Sequence, residues 1–376
     1  MDAHHLLLWR IMRKKDLPEV YAMMSLRTFA MSLISIFVPI YLYTLGYDIP
    51  TILLFFIVAS STHALICPIS AKISSAIGSK HGMLLGFILY FPYYVMLTML
   101  QSNGQLFYLI AVSYGVAQAL FWIPFHAFFP RLTDGKKRGE EVALLDIFPS
   151  LCAMIAPFIG GLIILFFGFG TLFIVGLGFL MVAALPLFAT KDIHMPFKFS
   201  LRVDGFNRKV AASLASYHYQ INETLWPIFV FTIIGSTAII GGIISVSVLI
   251  GFAVVWIVGN MVDRGYRKRL LEAGSVTQAV LWGLRTLANS FLNILSLEAV
   301  WRVVAKFTDV PYNSAYCEKA RKTKQQLEFS VLREICIHSS IVIVFALLYV
   351  FYSYLSIPMI FVIAATGSLF GMLIER

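Results

Sequence analysis

Residues 39–45 read Pro-Ile-Tyr-Leu-Tyr-Thr-Leu, and residues 227–233 read Pro-Ile-Phe-Val-Phe-Thr-Ile. Three of the seven pairs are identical, and the others exchange one apolar or aromatic residue for another. The offset of 188 recurs along the chain, pairing Lys80 with Lys268, Arg131 with Lys319, Glu140 with Glu328 and Asp146 with Glu334. At 187, Pro124-Phe125-His126 meets Pro311-Tyr312-Asn313. A repeat of so long a period means two copies of one architectural unit. Both copies are too apolar for water, so the unit is a membrane bundle and its copies run in the same sense.

Composition agrees. The chain is 59% hydrophobic and 13% charged, with a mean hydropathy of +0.84. Soluble globular chains are nearer half apolar and a quarter charged. A spanning helix needs about 20 apolar residues, and twelve such runs are present. They lie near 22–46, 50–71, 82–101, 105–128, 144–167, 169–189, 211–234, 237–261, 271–290, 293–315, 330–352 and 356–375. The expected fold is an all-α membrane protein of twelve transmembrane helices in two parallel six-helix repeats. Residues 1–189 and 211–376 are the halves, and 190–210 is a linker rich in Lys and Arg.

The net charge of +10 suggests nucleic acid until the positions are read. Arg10, Arg13, Lys14 and Lys15 precede the first span. Lys72 and Lys80 flank the next connection on that side, and Arg131, Lys136, Lys137 and Arg138 follow the fourth span. Arg264, Arg267, Lys268 and Arg269 follow the eighth, and Lys319, Arg321, Lys322 and Lys324 the tenth. The alternate connections Gly46–Pro50 and Gln101–Gln105 hold no Lys or Arg. This asymmetry puts both termini in the cytoplasm and the protein in the cell membrane, with the bilayer, not nucleic acid, as its partner. The short apolar run after Met1 does not read as a cleavable signal. Residues His4–Lys15 read as an interfacial helix. Cys67, Cys152, Cys317 and Cys336 lack metal-ligand spacing and read as packing residues.

Twelve spans, inside termini, two parallel repeats and a basic linker resemble the major facilitator superfamily. Its loop pattern, roughly G-x-x-x-D-R-x-G-R-[RK], is matched at Gly259, Asp263, Arg264, Arg267 and Lys268, with the second glycine displaced by one. The resemblance implies a gate at the cytoplasmic face. The first copy has Ala71, Ser75, Ala76, Ser79 and Lys80 there, so acid and first arginine are lost and the latch is expected mostly in the second half. Ala156-Pro157-Phe158-Ile159-Gly160-Gly161 is similar to an antiporter motif of the fifth helix, and close packing of small residues is its plainer reading.

Intramembrane charges are costly and usually line a cavity or pair with one another. Glu298, Arg302, Lys306 and Asp309 fall within about 80° of arc on one helix. They form either a binding stripe for an anionic solute or two internal salt bridges, Glu298–Arg302 and Lys306–Asp309. The seventh span offers His218, Tyr219, Asn222, Glu223 and Trp226, with Glu223 the proton-carrier candidate. The fourth offers Gln118, Trp122 and His126. Arg27 reads as snorkelling to the interface, and His63 and Arg285 receive no role. Prolines 39, 124, 227 and 311 read as kinks.

No phosphate-binding loop, zinc-protease motif or nucleophile elbow occurs, so the chain reads as no enzyme, without cofactor or metal. The expectation is a monomeric secondary transporter of a small organic solute, proton-coupled and working by alternating access. A multidrug efflux antiporter and a non-transporting scaffold or solute sensor are the alternatives.

Overall fold

The computed structural model describes residues 16–132, 138–214 and 217–375. The expected interfacial segment His4–Lys15, and with it Arg10, Arg13, Lys14, Lys136 and Lys137, lies outside them. All regular structure among the described residues is helical. The chain enters as α1 (Asp16–Ile34) and α2 (Phe37–Thr44), which are separated by a short break. Pro39 stands in the first turn of α2, where its missing N–H leaves the backbone at Ser35 free to bend. Next come α3 (Ile49–Ile77), α4 (Ser79–Met99), α5 (Phe107–Leu132), α6 (Arg138–Ala153) and α7 (Ala156–Ala183). After the linker the chain forms α8 (Arg208–Ser213), α9 (His218–Ile234), α10 (Thr237–Met261), α11 (Arg267–Arg285), α12 (Phe291–Lys322), α13 (Gln326–Phe351) and α14 (Ile357–Ser368). Pro124, Pro227 and Pro311 lie inside α5, α9 and α12.

Eight helical stretches among the described residues are long and apolar enough to cross a membrane. Two of them, Glu141–Phe188 and Thr237–Arg285, run to 48 and 49 residues, far beyond the ~20 that one crossing needs. Each breaks inside at a glycine with left-handed backbone, Gly168 (φ 81°) and Gly265 (φ 90°). The 17-residue α9 and α12, which carries Glu298, Arg302, Lys306 and Asp309, are not among the eight. Local chemistry sets the starts: Asp48 accepts a hydrogen bond from the Thr51 N–H at 2.9 Å, and Ser236 and Ser290 cap α10 and α12 likewise.

Two pairings join the first helices to the last. Along one, α3 packs on α13; along the other, α10 packs on α6 and α7. The second depends on missing side chains. A Cβ on Gly161 would come within 2.4 Å of the Thr237 carbonyl oxygen, and one on Gly241 within 2.1 Å of the Pro157 oxygen. Small residues therefore bring these backbones into contact; of the Gly160-Gly161 pair, Gly161 does so here, while Gly160 faces the Leu33 carbonyl of α1. This contact lies toward the connections that lack Lys and Arg.

The linker is fastened at both ends. Asp192 accepts from the backbone N–H of Lys80 (2.8 Å) and of His81 (3.0 Å), and Ser79 N–H donates to the Ile193 carbonyl (3.0 Å). Farther along, the Lys198 N–H donates to Glu328 at 2.8 Å.

Candidate functional site

A cavity of about 590 Å³ opens among α1, α3, α5, α6, α9, α10, α12 and α13. Of the residues expected to form a site, Gln118, Trp122, His126, Arg302, Lys306 and Asp309 line it. Glu223 does not; it borders a second cavity of about 320 Å³, with Tyr219, Gln278 and Asp309. Asp309, Gln220, Asn313, Arg333 and His338 border both, so the two spaces adjoin.

The charges of α12 divide into two depths. Glu298 is 2% exposed, and its carboxylate is fully engaged. Its Oε2 accepts from Nη2 of Arg285 (3.0 Å) and Nε1 of Trp226 (3.0 Å), while Oε1 accepts from Nε of Arg302 (2.9 Å). Arg285 is wholly buried and gives its other nitrogen to Asn222 Oδ1 at 2.7 Å. The rings of Trp226, Trp282 and Trp301 enclose its guanidinium at 4.2, 4.6 and 4.3 Å. Cation–π contacts in a desolvated setting contribute about 2 kcal/mol, and three converge here. Two guanidiniums share one carboxylate, so the cluster keeps one positive charge. Arg302, the member that lines the cavity, presents it.

Thus the expected Glu298–Arg302 pair forms, but a third group that the sequence reading left without a role completes it. A lone arginine on an apolar helix was itself the available signal, since buried charges are rarely idle. Asn222 and Trp226, expected on the solute pathway, point into this cluster and do not line the larger cavity. The phenol of Tyr219 donates to Asp309, and Gln278 donates to Thr308 at 2.9 Å beside it.

The other side of the cavity has a matching arrangement. Arg27 is 5% exposed, which corrects the expectation that it snorkels to the interface. Its guanidinium lies 4.1 Å from the Phe121 ring and 4.5 Å from Trp122, and it donates to Tyr90 (3.2 Å) and Gln118 (3.4 Å). Gln118 also accepts from Trp122 Nε1 at 2.9 Å. Snorkelling fails because the aromatic residues of α4 and α5 close over the stem before it can reach water.

His126 stacks on Trp122 with ring centroids 5.0 Å apart, and its Nε2 lies 3.5 Å from Glu334. Glu334, His338 and His63 gather there with Arg333, a group the sequence reading did not assemble.

The loop motif lies apart from the cavity. Asp263 and Arg264 sit on the turn around Gly265, exposed, as is Lys268, while Gly259 is buried at the end of α10. Arg267 bridges Glu318 (2.8 Å) and Glu375 (2.8 Å). Hydrogen bonds from Lys322 and Arg267 hold the Glu318 carboxyl at about 2. In the first copy of the loop, Lys80 is 1% exposed and pairs with Glu19 at 2.7 Å.

Residues 20–198 match the family described as Major Facilitator Superfamily. No curated protein matches the sequence. Among solved structures, the major facilitator transporter FucP in an outward conformation aligns at a TM-score of 0.67 and 15% identity, covering 96% of this chain and 98% of that one. A variant of the E. coli fucose:proton symporter FucP gives 0.68 and 14%, covering 96% and 98%. The human organic anion transporter MFSD10 (TETRAN) gives 0.65 and 11%, covering 96% and 99%. Residues 20–198 are thus similar to the Major Facilitator Superfamily, and the fold is that of solved transporters of that superfamily.

Proposed function

We propose that the protein is a secondary transporter that moves a small organic anion across the cell membrane by alternating access, coupled to protons. The observation that carries the anion is Arg302: it reaches the cavity while its partner Glu298 is already held by Arg285 and Trp226. Lys306 lines the same wall, and Arg27 behind Gln118 has only neutral hydrogen-bond partners. An excess of fixed positive charge in a low-dielectric cavity favours a solute that brings negative charge.

In this reading the chain makes twelve crossings. Gly168 and Gly265 each divide a double-length stretch into two, and α9 and α12 add the remaining pair. The halves are 1–189 and 211–376, joined by the 190–210 linker, with both termini cytoplasmic and the protein a monomer. The loop from Gly259 to Lys268 serves as the cytoplasmic gate. Glu223, on the smaller cavity, carries the proton. A fucose:proton symporter and an organic anion transporter share this fold, so both features are compatible with it.

Multidrug efflux is less well supported. Aromatic residues lining the cavity would favour it, but of Trp122, Trp226 and Trp301 only Trp122 does so, while Trp226 and Trp301 enclose Arg285. The test is a thermal-stabilisation screen of small carboxylates on purified protein, then flux of each hit into proteoliposomes with and without a pH gradient. Flux indifferent to the gradient removes proton coupling. Stabilisation without flux favours the solute-sensor alternative.

A further inference from the structure

Glu334 on α13 stands at the centre of a group the transport reading does not use. Nε2 of His63, on α3, is 3.2 Å from its Oε2, and Nε2 of His338, one turn along α13, is 3.7 Å from the same oxygen. We propose that His63, Glu334 and His338 form a binding site for a divalent transition-metal ion of the zinc class.

The geometry is the first argument. Ligands about 2.0–2.1 Å from a tetrahedral zinc stand roughly 3.4 Å from one another. The two nitrogens already lie near that distance from the oxygen, and one donor atom from each residue falls within 4.8 Å of the other two. Two imidazoles and one carboxylate suit zinc, nickel or cobalt and not the oxygen-seeking magnesium or calcium.

Unmet valence is the second argument. His63 is 1% exposed, yet neither of its ring nitrogens has a hydrogen-bond partner. Its Nε2 is close to Glu334 without hydrogen-bond alignment. A buried imidazole with both nitrogens unsatisfied is costly, and an ion between the donors would satisfy one. The His63 and His338 rings stack at 3.7 Å, 23° from parallel.

Surrounding groups fit the role. Arg333 donates to Oε1 of Glu334, leaving Oε2 for the ion. Ligating carboxylates are commonly fixed this way by an outer partner. His63, Glu334 and His338 all line the larger cavity, from which a hydroxide or a solute carboxylate would complete the coordination and offset the charge. Such an ion would tie α3 to α13. Binding itself does not depend on the transport reading.

The experiment uses the full chain, purified in detergent without a polyhistidine tag, titrated with Zn²⁺ and with Co²⁺ followed by visible absorption. One equivalent is expected to bind. His63→Ala and His338→Ala should each weaken binding by at least the ~10–100-fold that losing an outer-shell partner costs, with gel filtration and far-UV circular dichroism unchanged. His194→Ala, on the exposed linker, should bind as the unaltered chain does. If His63→Ala does not fold, His338→Ala decides. A chain that takes up no stoichiometric metal, or a folded His338→Ala that binds equally well, overturns the site.

Discussion

Arg285 and Glu298 form a buried ion pair, 3.0 Å from Nη2 to Oε2, with side chains 0% and 2% exposed. Arg302, on the same carboxylate, is 27% exposed. The two arginines therefore answer differently to mutation. Glu298→Gln strands Arg285 without its counter-charge, and breaking a buried pair costs about 3–5 kcal/mol. Arg302→Gln leaves the Arg285–Glu298 pair intact. A large fall in thermal unfolding midpoint is expected for Glu298→Gln and a small one for Arg302→Gln, whose transport of an anionic solute should nevertheless drop at least tenfold. Equal losses of stability would remove the distinction. The double variant Glu298→Gln plus Arg302→Gln is expected to be as unstable as Glu298→Gln, because Arg285 remains unpaired in both.

Gly241 and Gly242 provide a matched pair. A Cβ on Gly241 meets the Pro157 oxygen at 2.1 Å, whereas one on Gly242 meets only the Phe158 Cδ2 at 3.7 Å, an ordinary contact. Gly241→Ala should wedge α10 away from α7 and raise labelling of cavity cysteines from the side of the Asp48 loop. Gly242→Ala should leave labelling unchanged. Identical labelling in the two variants would mean that the close approach does not seal that side.

Much of the fold was legible because membrane chemistry writes itself one residue at a time. Apolar runs mark helices, and Lys and Arg mark one set of connections, so neither needs tertiary contacts to be read. The site was harder. Glu298 and Arg302 were found because they share a helix face. Arg285 was not, since its partners Asn222, Glu298 and three tryptophans come from α9, α11 and α12. Likewise His63 meets Glu334 and His338 only once α3 lies on α13. Periodicity along one helix carries no information about which other helix it faces. Arg27 failed for the opposite reason: nearness to a helix end suggested water, and only packing shows that aromatic rings close over it.

Topology is open to a direct test. If the linker is cytoplasmic, as proposed, Leu201→Cys, at a position 73% exposed, should resist a membrane-impermeant maleimide in intact cells and react once the cells are opened. Met195, also in the linker, is 2% exposed and would resist the reagent on either side. Labelling of Leu201→Cys in intact cells, above the background of the four native cysteines, would reverse the orientation.

Asp192 ties the linker to the start of α4, and two independent changes should undo that tie. Burial pushes its carboxyl up, but hydrogen bonds from the Lys80 and His81 backbone, the His81 ring and the Ile193 N–H outweigh it and hold the group below the usual aspartate range. A carboxyl depressed in the folded state contributes stability that is complete above its unfolded value, near 3.9, and is lost as pH falls through the lower folded one. Between pH 5 and 8 the Asp192 carboxylate itself should therefore stay charged and contribute no pH dependence. Asp192→Ala removes the acceptor for two N–H groups at a helix start, a loss of about 0.5–2 kcal/mol by analogy with capping residues. Gly78→Ala expels the same carboxylate by another route, since a Cβ at Gly78 falls 2.1 Å from Asp192 Oδ2 and the backbone there has φ +101°. Limited proteolysis within 190–210 should accelerate in both variants. In the unaltered protein, loss of the Asp192 charge should accelerate it once the pH falls below about 4. Cleavage that rises equally for an exposed linker control such as Arg202→Ala would show that Asp192 does not hold the segment down.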